Sequence, residues 1–231
     1  MLNINELQFA YGEVNVLRGV TLDVPTGSMV CMMGRNGVGK TTLMQNILGL
    51  YAPKSGSITL DGEDVTKMPP HKRVKNGMAY VPQGRHIFSR LTVEENLRTG
   101  LSARGDKSKV IPEEVFEYFP VLKEMRSRQG GNLSGGQQQQ LAIGRALVTD
   151  PRLLILDEPT EGIQPNIITL IGETLRRLVD EKGLTVLIVE QYLDFVRTFS
   201  HRFLVMNRGV VVAGDETTNL HEDLVKEYLH V

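Results

Sequence analysis

The sequence contains a single cysteine, Cys31, and five histidines that lack the spacing of a metal site. One cysteine excludes a disulfide framework, and its position in an apolar segment favours a small buried side chain over a reactive thiol. The histidine pattern likewise indicates no metal centre built on neighbouring histidines. Since a chain of 231 residues buries about 70% of its unfolded surface, we expect it to fold without disulfides or a structural metal.

A large net charge and long apolar runs are also absent. The chain has 26 lysines and arginines against 27 aspartates and glutamates, which predicts no nucleic-acid binding by bulk electrostatics. No apolar stretch approaches the ~18 residues of a membrane span, and the N-terminal segment 1–6 has no basic region before an apolar core. We therefore expect a soluble chain that stays in the cytoplasm and reaches a membrane only through a partner.

The most informative segment that is present is a glycine-rich loop, which lies between an apolar run at 29–33 and a helix predicted over 43–50. It meets all four fixed positions of the motif G-x-x-x-x-G-K-[ST]. Glycines let successive backbone N–H groups turn inward, the start of the helix adds its positive dipole, and Lys40 adds a mobile charge. The loop therefore predicts a polyphosphate site, in which Thr41 coordinates Mg²⁺ and Thr42 reaches a phosphate oxygen. The predicted nucleotide contacts are Gly34, Asn36, Gly37, Gly39, Lys40, Thr41 and Thr42.

Two adjacent carboxylates, Asp157 and Glu158, end another apolar run at 153–156. Charges at the end of a buried strand are costly and indicate a purpose. At the carboxyl edge of a parallel sheet, beside the phosphate-binding loop, Asp157 would hold Mg²⁺ through its water shell and Glu158 would polarise an attacking water. Together with the loop, the pair predicts hydrolysis of a nucleotide.

The apolar patterning predicts an α/β fold with two kinds of sheet. Alternating apolar residues before the phosphate-binding loop are typical of half-buried antiparallel strands, whereas short continuous runs further on are typical of parallel strands covered on both faces. The predicted parts of this single domain, residues 1–231, are an antiparallel β layer at about 1–27 and 55–65, a core at about 28–54, 66–91 and 145–214, a helical insert at about 92–144 and a C-terminal helix at about 215–231.

A second glycine-rich helix start is formed by Ser134, Gly135, Gly136 and Gln137. Its hydroxyl and amides would bind an anion, yet one nucleotide does not need two such cradles in one molecule. With this segment, the chain resembles the ATP-binding cassettes of ABC systems over nearly its whole length. The resemblance implies a P-loop fold with a mainly parallel core sheet, an N-terminal antiparallel β subdomain and a helical insert. It also implies that these four residues close over the γ-phosphate held by a second cassette in a head-to-tail pair.

Further roles follow from the same resemblance. Tyr11 matches the aromatic residue that stacks on adenine, and Gln83 matches the glutamine that touches Mg²⁺ and the attacking water. The loop after Gln83, up to Leu91, would report the state of the nucleotide to a membrane partner. Gln191 stands where most cassettes carry a histidine; it can hydrogen-bond a γ-phosphate but cannot carry positive charge.

The departures from the general cassette pattern point to a subfamily. The segments 160–165 and 189–191 look like those of the short ATPase subunits that serve importers of branched-chain amino acids, amides and urea. The finer strings at 34–39, 137–145 and 190–195 are similar to the urea-type member. We therefore expect an ATP-hydrolysing subunit of a urea importer, with a branched-chain amino acid or short-chain amide importer as the alternative.

The resemblance implies partners as well as cofactors. ATP and Mg²⁺ would be bound between two cassettes, and a heterodimer with a different cassette is expected in the cell. Transmembrane permease subunits would hold the pair at the cytoplasmic face of the bacterial inner membrane, and a periplasmic solute-binding protein would act with them indirectly; no nucleic acid is expected.

Three other functions compete with the importer. A soluble ABC ATPase of DNA repair or translation usually carries two cassettes or a long coiled-coil insertion, whereas this chain has one cassette and near-zero charge. A GTP-binding switch would need an Asn-Lys-x-Asp string, which the sequence does not contain. The third is a cassette that binds ATP without hydrolysing it, which Gln191 suggests.

Overall fold

A six-stranded sheet lies at the centre of the computed structural model, which describes residues 1–104, 106 and 108–229. Its strands in spatial order are β10 (Val210–Glu216), β9 (Arg202–Asn207), β3 (Met29–Met33), β8 (Thr185–Val189), β7 (Leu153–Asp157) and β6 (Met78–Val81). All neighbours pair in parallel except β10, which runs antiparallel to β9 at one edge. Strands β3, β7 and β8 are buried at every position, which explains their continuous apolar runs.

A second, antiparallel sheet covers one face of the central sheet. Its spatial order is β2 (Val14–Val24), β1 (Leu2–Tyr11), β4 (Ser55–Leu60) and β5 (Glu63–Asp64). Because side chains alternate along a strand, Val30 and Met32 of β3 pack toward this sheet, while Cys31 and Met33 pack toward the helices on the other face. Burial raises the pKa of the Cys31 thiol, which fits the predicted inert side chain.

Helices connect the strands. The helices are α1 (Lys40–Ile47), α2 (Pro70–Lys75), α3 (Val93–Leu101), α4 (Glu113–Tyr118), α5 (Pro120–Glu124), α6 (Gly135–Leu147), α7 (Pro165–Lys182), α8 (Leu193–Phe199) and α9 (Glu222–Tyr228). Helix α1 packs with the antiparallel sheet, whereas α3, α4, α6, α7 and α8 pack on the other face of the central sheet. Within the ranges described, none of them combines the length and the apolar content that crossing a membrane requires.

Two predicted helix ranges are wrong. The helix expected over 43–50 is α1, which begins at Lys40 because Gly39 (φ 110°) turns the chain directly into it. The division between the helical insert and the core, expected at about 144, falls inside α6 and stays a prediction. The region 215–231 is not helical throughout, because β10 pairs with β9 as far as Glu216 and α9 begins only at Glu222. Residues 105, 107, 230 and 231 of the predicted ranges lie outside the described residues.

The end of α1 is held by a buried arginine from α2. Arg73 is 1% exposed, and its guanidinium donates hydrogen bonds to the carbonyl oxygens of Asn46 (2.8 Å) and Ile47 (2.6 Å). It also donates to the carbonyls of Thr66 (2.9 Å) and Met68 (2.8 Å). The last carbonyls of a helix lack partners within the helix, so Arg73 satisfies two of them and fixes α1 against the chain that follows.

The start of β3 is held by a histidine that precedes β9. His201 Nδ1 accepts a hydrogen bond from the Met29 N–H at 3.0 Å, and the His201 N–H donates to the Met29 carbonyl at 2.9 Å. Strand β3 leads directly into the phosphate-binding loop, so both ends of this strand–loop–helix unit are anchored by side chains from elsewhere in the chain.

Candidate functional site

The glycine-rich loop between β3 and α1 is packed closely on both sides. At Gly39, a Cβ would lie 3.1 Å from Met206 Cε and 3.3 Å from Leu17 Cδ2. At Gly34, a Cβ would collide with the carbonyl oxygen of Met206. Glycine is therefore required at both ends of the loop, which packs against Met206 near the end of β9.

Lys40 points into this loop. Its Nζ donates hydrogen bonds to the carbonyl oxygens of Gly34 at 2.6 Å and Arg35 at 2.9 Å, and the residue is 6% exposed. Burial lowers the pKa of Lys40, while the nearby carboxylates of Glu158 and Asp157 act in the opposite direction. The ammonium group therefore sits beside the loop amides with two carboxylates close enough to stabilise its charge.

Asp157 ends β7 in a buried position. It is 3% exposed, and its Oδ2 accepts a hydrogen bond from the Tyr80 hydroxyl at 3.3 Å. Burial raises the pKa of Asp157, and the adjacent Glu158 raises it further. A cation near Asp157 would offset both effects, because it would stabilise the charged carboxylate.

Both carboxylate oxygens of Glu158 are held by side-chain amides. Gln83 Nε2 donates to Oε2 at 3.0 Å, and Gln191 Nε2 donates to Oε1 at 2.5 Å. The backbone of Glu158 is in the left-handed region (φ 47°), and its N–H donates to the Val189 carbonyl at 2.9 Å. Such a conformation is strained for a residue other than glycine and turns this side chain away from the direction of the strand.

The two glutamines extend the contacts of Glu158 to other loops. Gln191 Nε2 also donates to Asn36 Oδ1 in the phosphate-binding loop at 2.8 Å. Gln83 Nε2 also donates to Glu161 Oε2 at 3.1 Å. The site therefore links the phosphate-binding loop, the loop after β6 and the loops after β7 and β8 through one carboxylate.

Glu190 is a structural residue of the site that the sequence analysis did not identify. It is 3% exposed and accepts hydrogen bonds from the Thr160 N–H (3.1 Å), the Thr160 hydroxyl (2.5 Å), the Gln191 N–H (2.6 Å) and the Tyr192 N–H (2.9 Å). The available signal was a charge directly after a buried strand, the same signal that identified Asp157.

These residues surround an open cleft of about 490 Å³. The residues that line it are Val16, Asn36, Gly37, Gly39, Lys40, Thr41, Thr42, Gln83, Glu158 and Glu161. The structure thus brings together most of the predicted loop contacts with Gln83 and Glu158, and it places Asp157 and Gln191 in hydrogen-bonding or charge contact with this set. Val16 and Glu161 are lining residues that the sequence analysis did not predict.

Tyr11 is not among the residues that line the cleft. It lies at the end of β1 with 45% of its surface exposed, and its hydroxyl donates to Gln45 Oε1 of α1 at 3.3 Å. Gln45 is one turn beyond Thr41, so both residues share one face of α1. Tyr11 therefore lies beside α1, the helix that follows the loop.

The segment Ser134 to Gln137 also lies outside this cleft. Ser134 caps α6: its Oγ accepts from the Gln137 N–H at 3.3 Å, while Gln137 Oε1 accepts from the Ser134 N–H at 2.9 Å. This reciprocal pair is a capping box, which satisfies two donors of the helix start. None of the four predicted residues lines the cleft, so a single chain presents the two glycine-rich helix starts at separate places.

The side chains near Lys40 suit Mg²⁺. Thr41 offers an exposed hydroxyl, Asp157 a carboxylate and Gln83 an amide oxygen, all of them the hard oxygen donors that Mg²⁺ prefers. In the described part of the chain, no group of three or more His, Cys, Asp or Glu side chains is arranged to hold a metal. Mg²⁺ usually keeps several waters and binds phosphate oxygens rather than an all-protein cage.

Comparisons with known proteins agree with this geometry. A model of the ABC transporter family matches residues 17–161. The high-affinity branched-chain amino acid transport ATP-binding protein BraG of Pseudomonas aeruginosa is 41% identical over 93% of this chain and 92% of its own length. The probable branched-chain amino acid transport ATP-binding protein LivF of Archaeoglobus fulgidus is 36% identical over 96% of this chain and 94% of its own length.

Solved structures show the same fold. An ATP-binding cassette of an ABC transporter in its ADP conformation has a TM-score of 0.86 at 30% identity, covering 96% of this chain and 95% of that one. A dimeric cassette in a post-hydrolysis state, bound to ADP and Pi, has a TM-score of 0.83 at 25% identity, covering 94% of this chain and 99% of that one. The predicted fold class, an α/β cassette with a mainly parallel core sheet, is confirmed.

Proposed function

The chain belongs to the ABC transporter family and is an ATPase of that family, and we propose that it powers an importer of branched-chain amino acids. The observation that supports this solute is the similarity to BraG, which extends over nearly the whole length of both chains. LivF, the second relative, also bears the name of a branched-chain amino acid transport protein. The comparisons therefore support the alternative solute of the sequence analysis rather than urea.

In the proposed mechanism, the phosphate-binding loop receives the triphosphate of ATP. Backbone N–H groups of the loop and the start of α1 face the phosphates, and Lys40 exchanges its loop carbonyl partners for phosphate oxygens. Thr41, Asp157 and Gln83 would hold Mg²⁺. Thr42 would bond a phosphate oxygen. Mg²⁺ bound there would neutralise charge that develops on the phosphates.

Glu158 is the proposed general base. Its carboxylate accepts a proton from the attacking water as the water oxygen bonds to the γ-phosphorus and the bond to the β-phosphate oxygen breaks. Gln83 and Gln191 orient it, since each amide already holds one of its oxygens. Gln191 also reaches Asn36, so this side chain connects the base to the loop that holds the phosphates.

A second cassette is the proposed partner that completes the site. Ser134, Gly135, Gly136 and Gln137 lie away from the cleft of their own chain, so we place them over the γ-phosphate of a partner in a head-to-tail pair. The dimeric solved cassette supports such a pair. We propose that in the cell the partner is a different cassette.

Permease subunits are the proposed contact of the loop between Gln83 and Leu91. Arg85 and His86 are both in the left-handed region (φ 69° and 45°), and Arg145 donates to the His86 carbonyl at 2.9 Å. Phe88 beside them is 50% exposed. A strained loop with an exposed aromatic ring, directly attached to Gln83, would transmit contact with a membrane protein to Glu158. The proposed location is the cytoplasmic face of the bacterial inner membrane.

Uptake measurements test the solute. Labelled leucine and labelled urea are supplied at low external concentration to source cells that carry Lys40→Ala in the chromosome. We expect loss of leucine uptake with urea uptake unchanged. Lys72→Ala changes an exposed lysine of α2 and is the matched control. It should leave the uptake of leucine and of urea unchanged.

Two other results would contradict the proposal. Loss of urea uptake alone would keep the importer and return the solute to urea. If neither uptake changes while purified protein releases phosphate from ATP, the ATPase serves another process, such as the soluble repair or translation ATPases considered from the sequence.

A further inference from the structure

Three aromatic rings, those of Phe9, Tyr11 and Tyr51, form a cluster beside α1. The ring of Tyr11 lies edge to face with Phe9 (centroids 4.9 Å apart, interplanar angle 88°) and with Tyr51 (5.5 Å, 87°). Phe9 and Tyr51 stack on each other at 5.2 Å and 26°. Tyr11 is thus held by two rings while 45% of its surface stays exposed, and Tyr51 is 37% exposed.

Gln45 ties this cluster to α1. Its side-chain oxygen accepts from the Tyr11 hydroxyl at 3.3 Å, and its backbone carbonyl accepts from the N–H groups of Leu50 (2.9 Å) and Tyr51 (3.4 Å). One residue therefore fixes both the hydroxyl of Tyr11 and the backbone of Tyr51. Since Gln45 follows Thr41 by one helical turn, the cluster has a set position relative to the phosphate-binding loop.

We propose that Tyr51, together with Gln45, is a positioning residue that holds Tyr11 as a preformed stacking surface for the purine ring of the nucleotide. The inference rests on the proposed function, and it takes Tyr11 as the adenine contact that the sequence resemblance implies. An exposed tyrosine on its own would lose rotamer freedom when a base stacks on it. Two ring contacts and one hydrogen bond remove that freedom before the nucleotide arrives.

The proposal also states how the base is recognised. Stacking uses the flat face of the purine and is tolerant of base identity, whereas discrimination needs hydrogen bonds to the base edges. The ring cluster supplies faces and two hydroxyls, of which that of Tyr11 is bonded to Gln45 and that of Tyr51 is in side-chain hydrogen-bond contact with Tyr11. The cluster should therefore strengthen the binding of ATP and GTP by the same factor.

Steady-state kinetics of phosphate release by the full chain test the role of Tyr51. We expect Tyr51→Leu to raise KM for ATP and for GTP by about three- to tenfold with kcat unchanged, because an aromatic pair is worth ~0.5–1.5 kcal/mol and uniform binding energy appears in KM. Tyr51→Phe keeps the ring and should stay within about twofold of the unaltered chain.

Inorganic tripolyphosphate, which has no base, separates stacking from damage to α1. Its inhibition constant should be the same for the unaltered chain and for Tyr51→Leu. An equal rise in the inhibition constant of tripolyphosphate and in KM would overturn the proposal, because Tyr51 would then act through the phosphate-binding loop. An unchanged KM in Tyr51→Leu would overturn it as well.

A spectroscopic reading uses the absence of tryptophan from the sequence. Tyr11→Trp, combined with Glu158→Gln to prevent turnover, introduces a single tryptophan whose emission a stacked adenine quenches. ATP should quench it and tripolyphosphate should not; equal responses to both ligands would refute the stacking surface. If the chain together with its partner cassette releases no phosphate from ATP, the proposed function itself fails; if it does and only the Tyr51 results disagree, the failure is confined to the ring cluster.

Discussion

Gln191 Nε2 lies 2.5 Å from Glu158 Oε1, although the two residues are 33 positions apart in the chain. The same nitrogen donates to Asn36 Oδ1 at 2.8 Å, so one amide joins the proposed base to the phosphate-binding loop. An amide donates hydrogen bonds at any ordinary pH, whereas an imidazole changes its charge near neutrality. Gln191 therefore orients Glu158 without adding a titrating group to the cleft.

Substitution of these two residues should separate chemistry from orientation. Glu158→Gln removes the proton acceptor and should lower kcat by about 10²–10⁴-fold while ATP still binds. Gln191→Ala leaves the acceptor in place and removes one hydrogen bond to a charged group, which corresponds to about tenfold in kcat. Phosphate release and equilibrium binding of ATP measure the two effects.

The matched control is Glu161→Gln, which changes the other carboxylate that Gln83 contacts and should cost less than Glu158→Gln. Equal losses in Gln191→Ala and Glu158→Gln would show that Gln191 does more than orient the base. Full activity of Glu158→Gln would refute the assignment of the base.

The two capping boxes allow the proposed role of Ser134 in a partner's site to be separated from its effect on helix stability. Ser134 caps α6 with Gln137, and Thr92 caps α3 with Glu95 in the same reciprocal way. Ser134→Ala and Thr92→Ala should each lower the free energy of unfolding by about 1 kcal/mol. Only Ser134→Ala should also lower ATP turnover, by about tenfold or more, because its hydroxyl is the one proposed to meet a γ-phosphate.

Urea denaturation and phosphate release at saturating ATP give the two readings for both variants. If turnover falls equally in Ser134→Ala and Thr92→Ala, the effect belongs to the stability of the helical insert, and the partner-site role of Ser134 fails.

Removal of Arg73 should destabilise the fold strongly. Four carbonyl oxygens lose the guanidinium donor in Arg73→Ala, and among the residues described only that of Asn46 is also bonded to a backbone N–H, that of Gly49. We expect the free energy of unfolding to fall by about 3 kcal/mol. Arg73→Lys should be nearly as damaging, because one ammonium group cannot replace a planar fork that reaches four carbonyls. Lys72→Ala, on the exposed side of the same helix, should change stability by less than about 0.5 kcal/mol. A Lys substitution as stable as the unaltered chain would contradict this account.

Acid should weaken the anchor of β3. Burial lowers the pKa of His201, and nearby Arg176 lowers it further, while Asp180 and Glu216 act in the opposite direction. Neutral His201 accepts the Met29 N–H, and a proton on Nδ1 removes that acceptor. Because the pKa is lower in the folded state, the contribution is complete above the ordinary value of 6.5 and is lost as the pH falls through the folded-state pKa.

Thermal unfolding between pH 7.5 and 5.5 measures this loss. The Tm of the unaltered chain should fall by more than that of His201→Asn, whose side-chain oxygen occupies the place of Nδ1 and does not titrate. Parallel curves for the two proteins would show that His201 carries no pH-dependent stability.

Local patterns were enough to predict the fold class and the phosphate-binding loop. The contrast between alternating and continuous apolar residues separates the antiparallel sheet from β3, β7 and β8. The apolar pattern within a single strand shows whether one or both of its faces are buried, so no information from other strands is needed. The motif around Lys40 works the same way, since all its fixed positions lie within one turn and one helix start. Helix ends were less predictable, because α1 ends where a residue of another helix, Arg73, caps it.

Contacts between distant segments could not be predicted from the sequence. The links of Gln191 to Asn36 and of Gln83 to Glu161 join loops that are 155 and 78 positions apart, and only the order of the strands brings them together. The pairing of Tyr11 with Tyr51 depends in the same way on how β1 lies beside α1. A single polar or aromatic residue in a loop belongs to no periodic pattern, so the sequence does not indicate which distant residue it will contact.

The Glu190 carboxylate joins the loop after β7 to the loop after β8 by hydrogen bonds. It binds Thr160 on one side and the N–H groups of Gln191 and Tyr192 on the other, so the loops after β7 and β8 keep a constant distance from each other. Glu158 lies in the first of these loops, and Gln191 lies in the second. A shift of these two loops relative to each other would break the buried hydrogen bonds of Glu190, whereas Gln83 lies in the loop after β6 and contacts Glu158 by a single side-chain hydrogen bond.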